Sequence, residues 1–350
     1  MKFEEPDQSH WKVLFEGASR LKKLAPWEWM NERDIFGVKN PDGGEIGFVS
    51  IMGAGGEHFA MGLYLGPEGL NGFWELQQQE GLIPPDLLFE TPQLQVSFED
   101  RQGLEPHDYR IIKDLGLRFR GRNAWPKFQS FRPGYWPWKI DRREAVFLGH
   151  ALEQACEVAL MVREEPGKLE QADRDSYLLR VPKGRVQGLR WEEQILKPPI
   201  PGSRSLRIDM DPEALGGLHE MPLKKDEIEL DLFMIPASIG AKGERPACAY
   251  LLLLVHGRTG NILGFEPMTA DPDLDAMRGQ IPLMMVWHLK ELGYRPREIS
   301  VQNELLFALL QTFTEKLDIR VKKKRSLKYL DMAKDALIDQ FEGGIAPFLI

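Results

Sequence analysis

Two separate blocks of the chain replace helical spacing of apolar residues with short strand-like runs, and this feature constrains the fold most. In each block, three such runs follow one another and are separated by turn-forming residues, which predicts three consecutive strands. The first block has the period of two that half-buried strands show, and the second contains the apolar run 247–255, so each block predicts a sheet rather than a helical bundle. The runs are residues 34–39, 45–52 and 59–65 in the first block, and 229–235, 249–256 and 261–267 in the second.

Helical spacing precedes the first block and recurs after both. A first helix is predicted to begin at an N-cap on Ser9, and the clearest helical pattern of this half spans residues 142–163. Written as elements, each half has the order β-β-β-α-β-α-β-α. The sequence therefore predicts an α+β fold of two domains, each a mixed sheet of about five strands with packed helices. The shared order also leaves an internal duplication open.

The length of 350 residues corresponds to about two domains of ordinary size. A charged stretch without apolar periodicity follows residue 163, and a proline-rich stretch occupies residues 197–203. We therefore predict an N-terminal α+β domain over residues 1–165 and a C-terminal α+β domain over residues 226–350. Residues 166–225 are predicted to be a linker and irregular connecting segment.

Composition limits the partners and the compartment. Lys and Arg number 45 against 53 Asp and Glu, a net charge of −8, which argues against a protein that binds polyanions over its whole surface. Cys156 and Cys248 lie far apart in apolar runs, so both are expected to be buried free thiols. The N-terminus lacks the pattern of a secretory signal, and the longest apolar run is too short to span a membrane. A cytoplasmic protein without membrane contact is expected.

The most distinctive local composition lies between residues 118 and 143, where eight basic residues and seven aromatic residues accompany a single acid, Asp141. Aromatic side chains stack on unpaired bases and neighbouring cations neutralise phosphates, so this mixture suits a single-stranded nucleic acid or another anion. The competing interpretation is an extended packing segment whose arginines pair with acids of the same chain. The candidate binding residues are Arg118, Arg120, Arg122, Trp125, Arg132, Tyr135, Trp136 and Trp138.

One short acidic motif could bind a metal. Asp209 and Asp211 alternate along the chain, which would place both carboxylates on one side of an extended segment, and such oxygen ligands suit Mg²⁺ or Ca²⁺. The same residues also read as the N-terminal cap of a short helix, which needs no metal. No histidine is accompanied by a nucleophile motif, so no catalytic residue and no cofactor is predicted.

The element order of the C-terminal half, three antiparallel strands followed by β-α-β crossovers, resembles the ribonuclease H-like superfamily. Active members of that superfamily hold two divalent metals with carboxylates on the first and fourth strands and on the first helix. Here the fourth strand ends at Val301-Gln302-Asn303, and the first strand offers only Asp231. The acidic set is therefore incomplete, and the resemblance implies a fold without an activity.

A closer resemblance is to an uncharacterised bacterial family built from two domains of unknown function. Its marks in the N-terminal half are Ala25-Pro26-Trp27-Glu28-Trp29, Gly47-Phe48-Val49-Ser50-Ile51-Met52-Gly53 and Tyr64-Leu65-Gly66. In the C-terminal half the mark is Arg295-Pro296-Arg297-Glu298-Ile299-Ser300-Val301 with the helix after it. This resemblance implies a bacterial cytoplasmic protein and supplies no activity, cofactor or catalytic residue.

Three functions follow as expectations. The first is a non-catalytic interaction or scaffold protein with a protein partner of unknown identity, because no set of catalytic residues converges in the sequence. The second is a single-stranded nucleic-acid-associated protein that uses residues 118–143. The third is an enzyme whose site forms between the two domains and is therefore not visible in a linear sequence.

Overall fold

The computed structural model describes residues 3–79, 84–170, 173, 175–184, 189–198, 206–208, 212–241 and 243–342. The chain divides into two compact units. The first unit contains residues 1–132 and 137–202, and the second contains residues 133–136 and 203–350.

The first unit is built on a seven-stranded sheet with the order β5-β4-β3-β2-β1-β6-β7. Every neighbouring pair is antiparallel except β1 and β6, which run parallel, so the sheet is mixed. Its elements are α1 (Gln8–Leu24), β1 (Phe36–Lys39), β2 (Ile46–Met52), β3 (Ala60–Leu65), α2 (Gly66–Gln77), α3 (Pro85–Glu90), β4 (Gln93–Glu99), α4 (Pro106–Asp114), β5 (Trp125–Phe131), α5 (Arg142–Glu164), β6 (Tyr177–Lys183) and β7 (Arg190–Leu196).

Helices cover both faces of this sheet. The long helices α1 and α5 pack against each other and bury one face, with α5 contributing fully buried side chains such as Leu148 and Leu152. The shorter helix α2 covers the opposite face through Leu70 and Phe73. The alternation of β2 explains this arrangement, because Val49 and Ile51 face α1 and α5 whereas Phe48 faces α2.

The sheet extends beyond the predicted end of the N-terminal domain. We predicted residues 166–225 to be an irregular linker, and this was wrong for β6 and β7, which join the sheet of the first unit beside β1. The strand β7 is exposed along most of its length, so it carries almost no alternation of apolar and polar residues. An edge strand with two solvated sides lacks the pattern on which the sequence prediction depends.

The second unit is built on a five-stranded sheet with the order β10-β9-β8-β11-β12. The strands β8, β11 and β12 are parallel, β9 pairs antiparallel with β8, and β10 pairs antiparallel with β9. Its elements are α6 (Pro212–His219), β8 (Leu223–Ile239), β9 (Ala247–His256), β10 (Ile262–Met268), α7 (Leu274–Gly279), α8 (Ile281–Leu292), β11 (Arg295–Val301), α9 (Glu304–Leu309), α10 (Gln311–Leu317), β12 (Arg320–Lys323) and α11 (Lys328–Glu342).

A short segment from earlier in the chain completes the second unit. The backbone N–H of Cys248 donates to the carbonyl of Gly134 at 2.9 Å, and the N–H of Trp136 donates to the carbonyl of Pro246 at 2.9 Å. The indole N–H of Trp136 donates to the carbonyl of Ala237 at 3.1 Å. Residues 133–136 therefore continue the sheet beside the first residues of β9.

The α+β class and the two mixed sheets are confirmed, and the first sheet has two strands more than predicted. The strand pairings of the two units differ. In the first unit β3, β4 and β5 are successive antiparallel neighbours, whereas in the second β11 and β12 are added in parallel on the other side of β8. The element order that the two halves share therefore does not extend to a shared topology.

Candidate functional site

Three arginines of the basic and aromatic segment are exposed to solvent. Arg118, Arg120 and Arg122 lie in the irregular stretch between α4 and β5, and all three are exposed. Within the described part of the chain, none of them has an ion pair or a hydrogen-bond partner. Their guanidinium groups can therefore bind an external anion without breaking an existing interaction.

Local packing fixes the backbone that carries these arginines. Phe119 points inward between two of them and stacks on Phe15 with a ring separation of 5.9 Å and an interplanar angle of 28°. The N–H of Leu117 donates to the carbonyl of Ile112 at 3.0 Å, and the N–H of Asn123 donates to the carboxylate of Asp100 at 2.7 Å. The stretch is therefore held at both ends and in the middle.

A group of aromatic rings lies beside the arginines. Trp125 contacts Tyr109 and Phe119 with ring separations of 6.1 and 5.8 Å, and the guanidinium of Arg101 lies 5.7 Å from the centre of the Tyr109 ring. The three rings are each half-buried, so part of each is in contact with solvent. We call this group the Arg118 surface. It consists of Arg101, Tyr109, Arg118, Phe119, Arg120, Arg122 and Trp125.

Arg132 has a different environment, because its guanidinium is neutralised by acids. It pairs with Asp141 at 2.6 Å and with Glu144 at 2.7 Å, the two residues that form the capping box of α5. Glu144 also accepts the hydroxyl of Ser130 at 2.7 Å. Arg132 therefore fixes the start of α5 to β5, as the packing interpretation of the segment predicted.

The remaining candidate residues are held by structural contacts. Trp138 packs on Phe3 with a ring separation of 5.0 Å, and the ammonium of Lys139 lies over both rings. Tyr135 and Trp136 belong to residues 133–136 of the second unit, where Tyr135 pairs with Ala247. Of the eight predicted binding residues, the structure brings together Arg118, Arg120, Arg122 and Trp125. It places Arg132 and Trp138 near the start of α5, and Tyr135 and Trp136 in the second unit.

The predicted metal ligands Asp209 and Asp211 lie outside the described residues. Within the residues that the structure describes, no three His, Cys, Asp or Glu side chains are grouped as metal ligands would be. Cys156 and Cys248 are both buried and are not joined in a disulfide, as predicted. Burial raises the pKa of the Cys156 thiol to about 11, so this thiol is poorly reactive near neutral pH.

The carboxylates on one face of the second sheet are all partnered. The ammonium of Lys324 pairs with Glu227 of β8 and, at 3.4 Å, with Glu298 of β11. The carboxylate of Glu229 accepts the backbone N–H groups of Tyr329 and Leu330 at 3.0 and 2.8 Å. Burial raises the pKa of the Glu229 carboxyl, and these two N–H groups oppose that shift. A third acid of β8 on this face, Asp231, pairs with Lys334 at 3.1 Å.

A further polar group, which the sequence analysis did not find, surrounds Asp226. Its carboxylate binds the guanidinium of Arg258 at 2.7 Å and lies 3.7 Å from Nε2 of His256. Nδ1 of His256 accepts the N–H groups of Arg258 and Thr259 at 3.3 and 3.2 Å. These contacts assign the proton of the neutral imidazole to Nε2 and hold the turn after β9. The only sequence signal was a histidine placed directly before a glycine turn.

The edge strand β10 exposes apolar side chains. Ile262 is 48% exposed and Phe265 is 59% exposed, although both lie beside fully buried residues of β9, Val255 and Leu253. These four side chains share one face of the sheet, which α11 covers over β8 and β9. The hydrophobic core of this face therefore continues outward to the solvent along β10.

The helix α5 is the one described helix that is long and apolar enough to cross a membrane. Of its most apolar stretch, 67% is buried inside the fold. A core helix of this length has the same composition, so the observation is weak support for a membrane span.

The fold defines a two-domain α+β protein whose halves are built on different sheets. Residues 11–180 match the model of a family described as Domain of unknown function (DUF7309), and residues 215–338 match that of Domain of unknown function (DUF6930). The predicted resemblance to an uncharacterised two-domain family is confirmed. The first match reaches into β6, so it includes a strand that we had assigned to the linker. No curated protein matches the sequence significantly.

Proposed function

We propose that this chain is a non-catalytic interaction protein of the bacterial cytoplasm that binds a polypeptide partner along the edge of β10. The observation that carries the proposal is the exposure of Ile262 and Phe265 on the continuation of a buried apolar face. Edge strands present unpaired backbone N–H and C=O groups, and native proteins protect them with charged side chains, prolines or β-bulges. In β10 the register shift between Ile262 and Gly264 and the proline Pro267 lie near the two ends, and the only charged residue of the strand is Glu266.

The geometry of the edge favours the addition of a strand. Among the strands that the structure describes, β10 pairs only with β9, so its other side can pair with an extended peptide up to Pro267, which has no N–H. Apolar side chains of such a peptide would cover Ile262 and Phe265, while its backbone would extend the sheet. Burying these two side chains would contribute a few kcal/mol, at about 25 cal/mol per Å² of apolar area.

The partnered carboxylates support the same proposal. We infer that the second unit is a ribonuclease H-like fold, because β8, β9 and β10 form an antiparallel start and two crossovers lead to β11 and β12. The lysine between Glu227 and Glu298 supplies the positive charge that paired carboxylates of this fold otherwise take from a metal. A sheet face of this kind is a binding scaffold rather than a reaction centre.

The test is purification of a tagged full-length chain from its own host, followed by identification of proteins present in stoichiometric amount. The double variant Ile262→Ser with Phe265→Ser should lose the partner while keeping its melting temperature, because both side chains are exposed. A control variant, Val13→Ser, removes a side chain that is 55% exposed on α1 and should retain the partner. Equal recovery of the partner by the double variant and the wild type would contradict the proposal.

A further inference from the structure

We propose that the Arg118 surface of the first unit is a binding site for single-stranded nucleic acid. The site lies on elements other than β10, so it goes beyond the proposed protein interaction. Three observations carry the inference: the free guanidinium groups, the aromatic rings beside them, and the contacts that hold both in place.

The charge of the surface is positive in spite of the acidic balance of the whole chain. Besides Arg118, Arg120 and Arg122, the exposed cations near it are Arg101, Arg110 and Lys113. Each phosphate that such cations neutralise releases condensed counterions, which favours binding at low salt. A local patch of this kind binds a polyanion although the net charge of −8 repels it at long range.

The acids of the same region are mostly engaged. Asp100 accepts the N–H of Asn123, and Glu105 lies 3.8 Å from the ammonium of Lys127. Asp108 is held in the capping box of α4, and burial raises its pKa to about 6. Hydrogen bonding leaves these carboxylates charged, so they count together with Glu99 and Asp114, and the six exposed cations and Lys127 outnumber the five acids by two.

The aromatic rings give the surface its preference for unpaired bases. Trp125 contacts Tyr109 edge-on at 64° and Phe119 at a tilt of 60°, and part of each of the three rings remains in contact with solvent. Stacking of a base on an aromatic side chain contributes about 1–3 kcal/mol and tolerates any base. A double helix hides the faces of its bases, so it can use the arginines but not the rings.

The first measurement is fluorescence polarisation of a labelled oligothymidylate of about 20 nucleotides with the full chain, from about 50 to 200 mM salt. The triple variant Arg118→Gln, Arg120→Gln and Arg122→Gln should bind at least about tenfold more weakly. Its plot of log affinity against log salt should flatten by about 2, because each lost phosphate contact removes about 0.7 from the slope of a single strand.

A matched control separates the site from total charge. The triple variant Lys12→Gln, Lys23→Gln and Arg142→Gln removes the same three charges from exposed positions on α1 and α5 of the first unit. It should bind the oligonucleotide within about twofold of the wild type. Equal weakening by both triple variants would show a charge effect without a site and would overturn the proposal.

The second measurement tests the base contacts without changing the protein. An abasic strand of equal length keeps the phosphates and removes the rings that would stack, so the wild type should bind it roughly five- to hundredfold more weakly. Equal binding of the two strands would overturn the assignment to nucleic acid, as would absence of oligothymidylate binding at about 50 mM salt. The double variant Ile262→Ser with Phe265→Ser should bind the oligonucleotide as the wild type does. A loss of the protein partner and a loss of oligonucleotide binding can therefore be told apart.

Discussion

The carboxyl group of Asp108 lies at the start of α4, where it accepts the backbone N–H of Glu105 at 2.9 Å. Burial raises the pKa of this carboxyl from 3.8 to about 6. Between about pH 4 and 6, the folded chain therefore takes up a proton that the unfolded chain does not. The stability that this proton uptake provides is present at about pH 4 and is lost as the pH rises through about 6.

We expect Asp108→Asn to stabilise the protein above pH 6. The amide keeps an oxygen that accepts the N–H of Glu105 and removes the charge that burial disfavours. Urea unfolding should show a gain of about 2 kcal/mol at pH 7.5 and no difference near pH 4. Asp114→Asn at the exposed end of the same helix is the control. Its free energy of unfolding should stay within about 0.5 kcal/mol of the wild-type value at both pH values.

The N-cap of α1 shows a limit of prediction from sequence at the level of single residues. We expected Ser9 to cap α1, but Asp7 does so by accepting the N–H groups of Ser9 and His10. Both residue types favour this position and stand two residues apart, so composition alone does not choose between them. The placement of Asp7 depends on the first two turns of α1, which pack Trp11 and Leu14 into the core.

Among the elements, α2 shows how tightly a helix can lie against a sheet. A Cβ atom on Gly69 would lie 2.7 Å from the carbonyl carbon of Tyr64 and 2.8 Å from the carbonyl oxygen of Pro92. Both atoms belong to backbone that cannot move without disturbing β3 or β4. Glycine is therefore required here for close approach, although it lowers helix propensity.

We expect Gly69→Ala to destabilise the chain by about 1–3 kcal/mol, since overpacking outweighs the gain in helix propensity. The control is Gly216→Ala in α6, where no atom lies within 4 Å of the added Cβ. That exposed substitution should stabilise the chain by up to about 1 kcal/mol. Thermal unfolding of both variants measures whether each substitution lowers or raises the stability of the chain. A stabilised Gly69→Ala variant would contradict the packing of α2.

The order of elements was predictable from the sequence, but the pairing of strands was not. Short apolar runs between turn residues identified β1 to β4 and β8 to β10, and all of these except β10 bury much of their length. The same pattern does not show which strands are neighbours, so two halves with a common order have different topologies. The polar edge strand β7 gave no signal at all.

Across the whole molecule, burial predicts a gradient of local stability. The strands β3 and β9 lie inside their sheets and bury nearly every residue, whereas β7 is an edge strand that is exposed along most of its length. Amide hydrogen exchange read by mass spectrometry should therefore be slowest in β3 and β9 and much faster in β7. If β7 exchanged as slowly as β3, its outer edge would have to be covered in solution.

The candidate site was predictable only in part at this scale. The composition of residues 118–143 identified four residues of the Arg118 surface, because exposed arginines stand close to Phe119 and Trp125 in the sequence. The sequence could not show that Arg132 is neutralised by Asp141, which depends on how β5 meets α5. Nor could it show that Tyr109 and Arg101 join the surface from elements before it.

The assignment of residues 133–136 to the second unit has a consequence for inheritance. A gene segment that encodes only residues 203–350 would omit the chain that pairs with Cys248, Pro246 and Ala237. If recombination moved that half alone, the transferred domain would lack four residues that are encoded far upstream. We therefore expect the two matched domains to be encoded together in one gene.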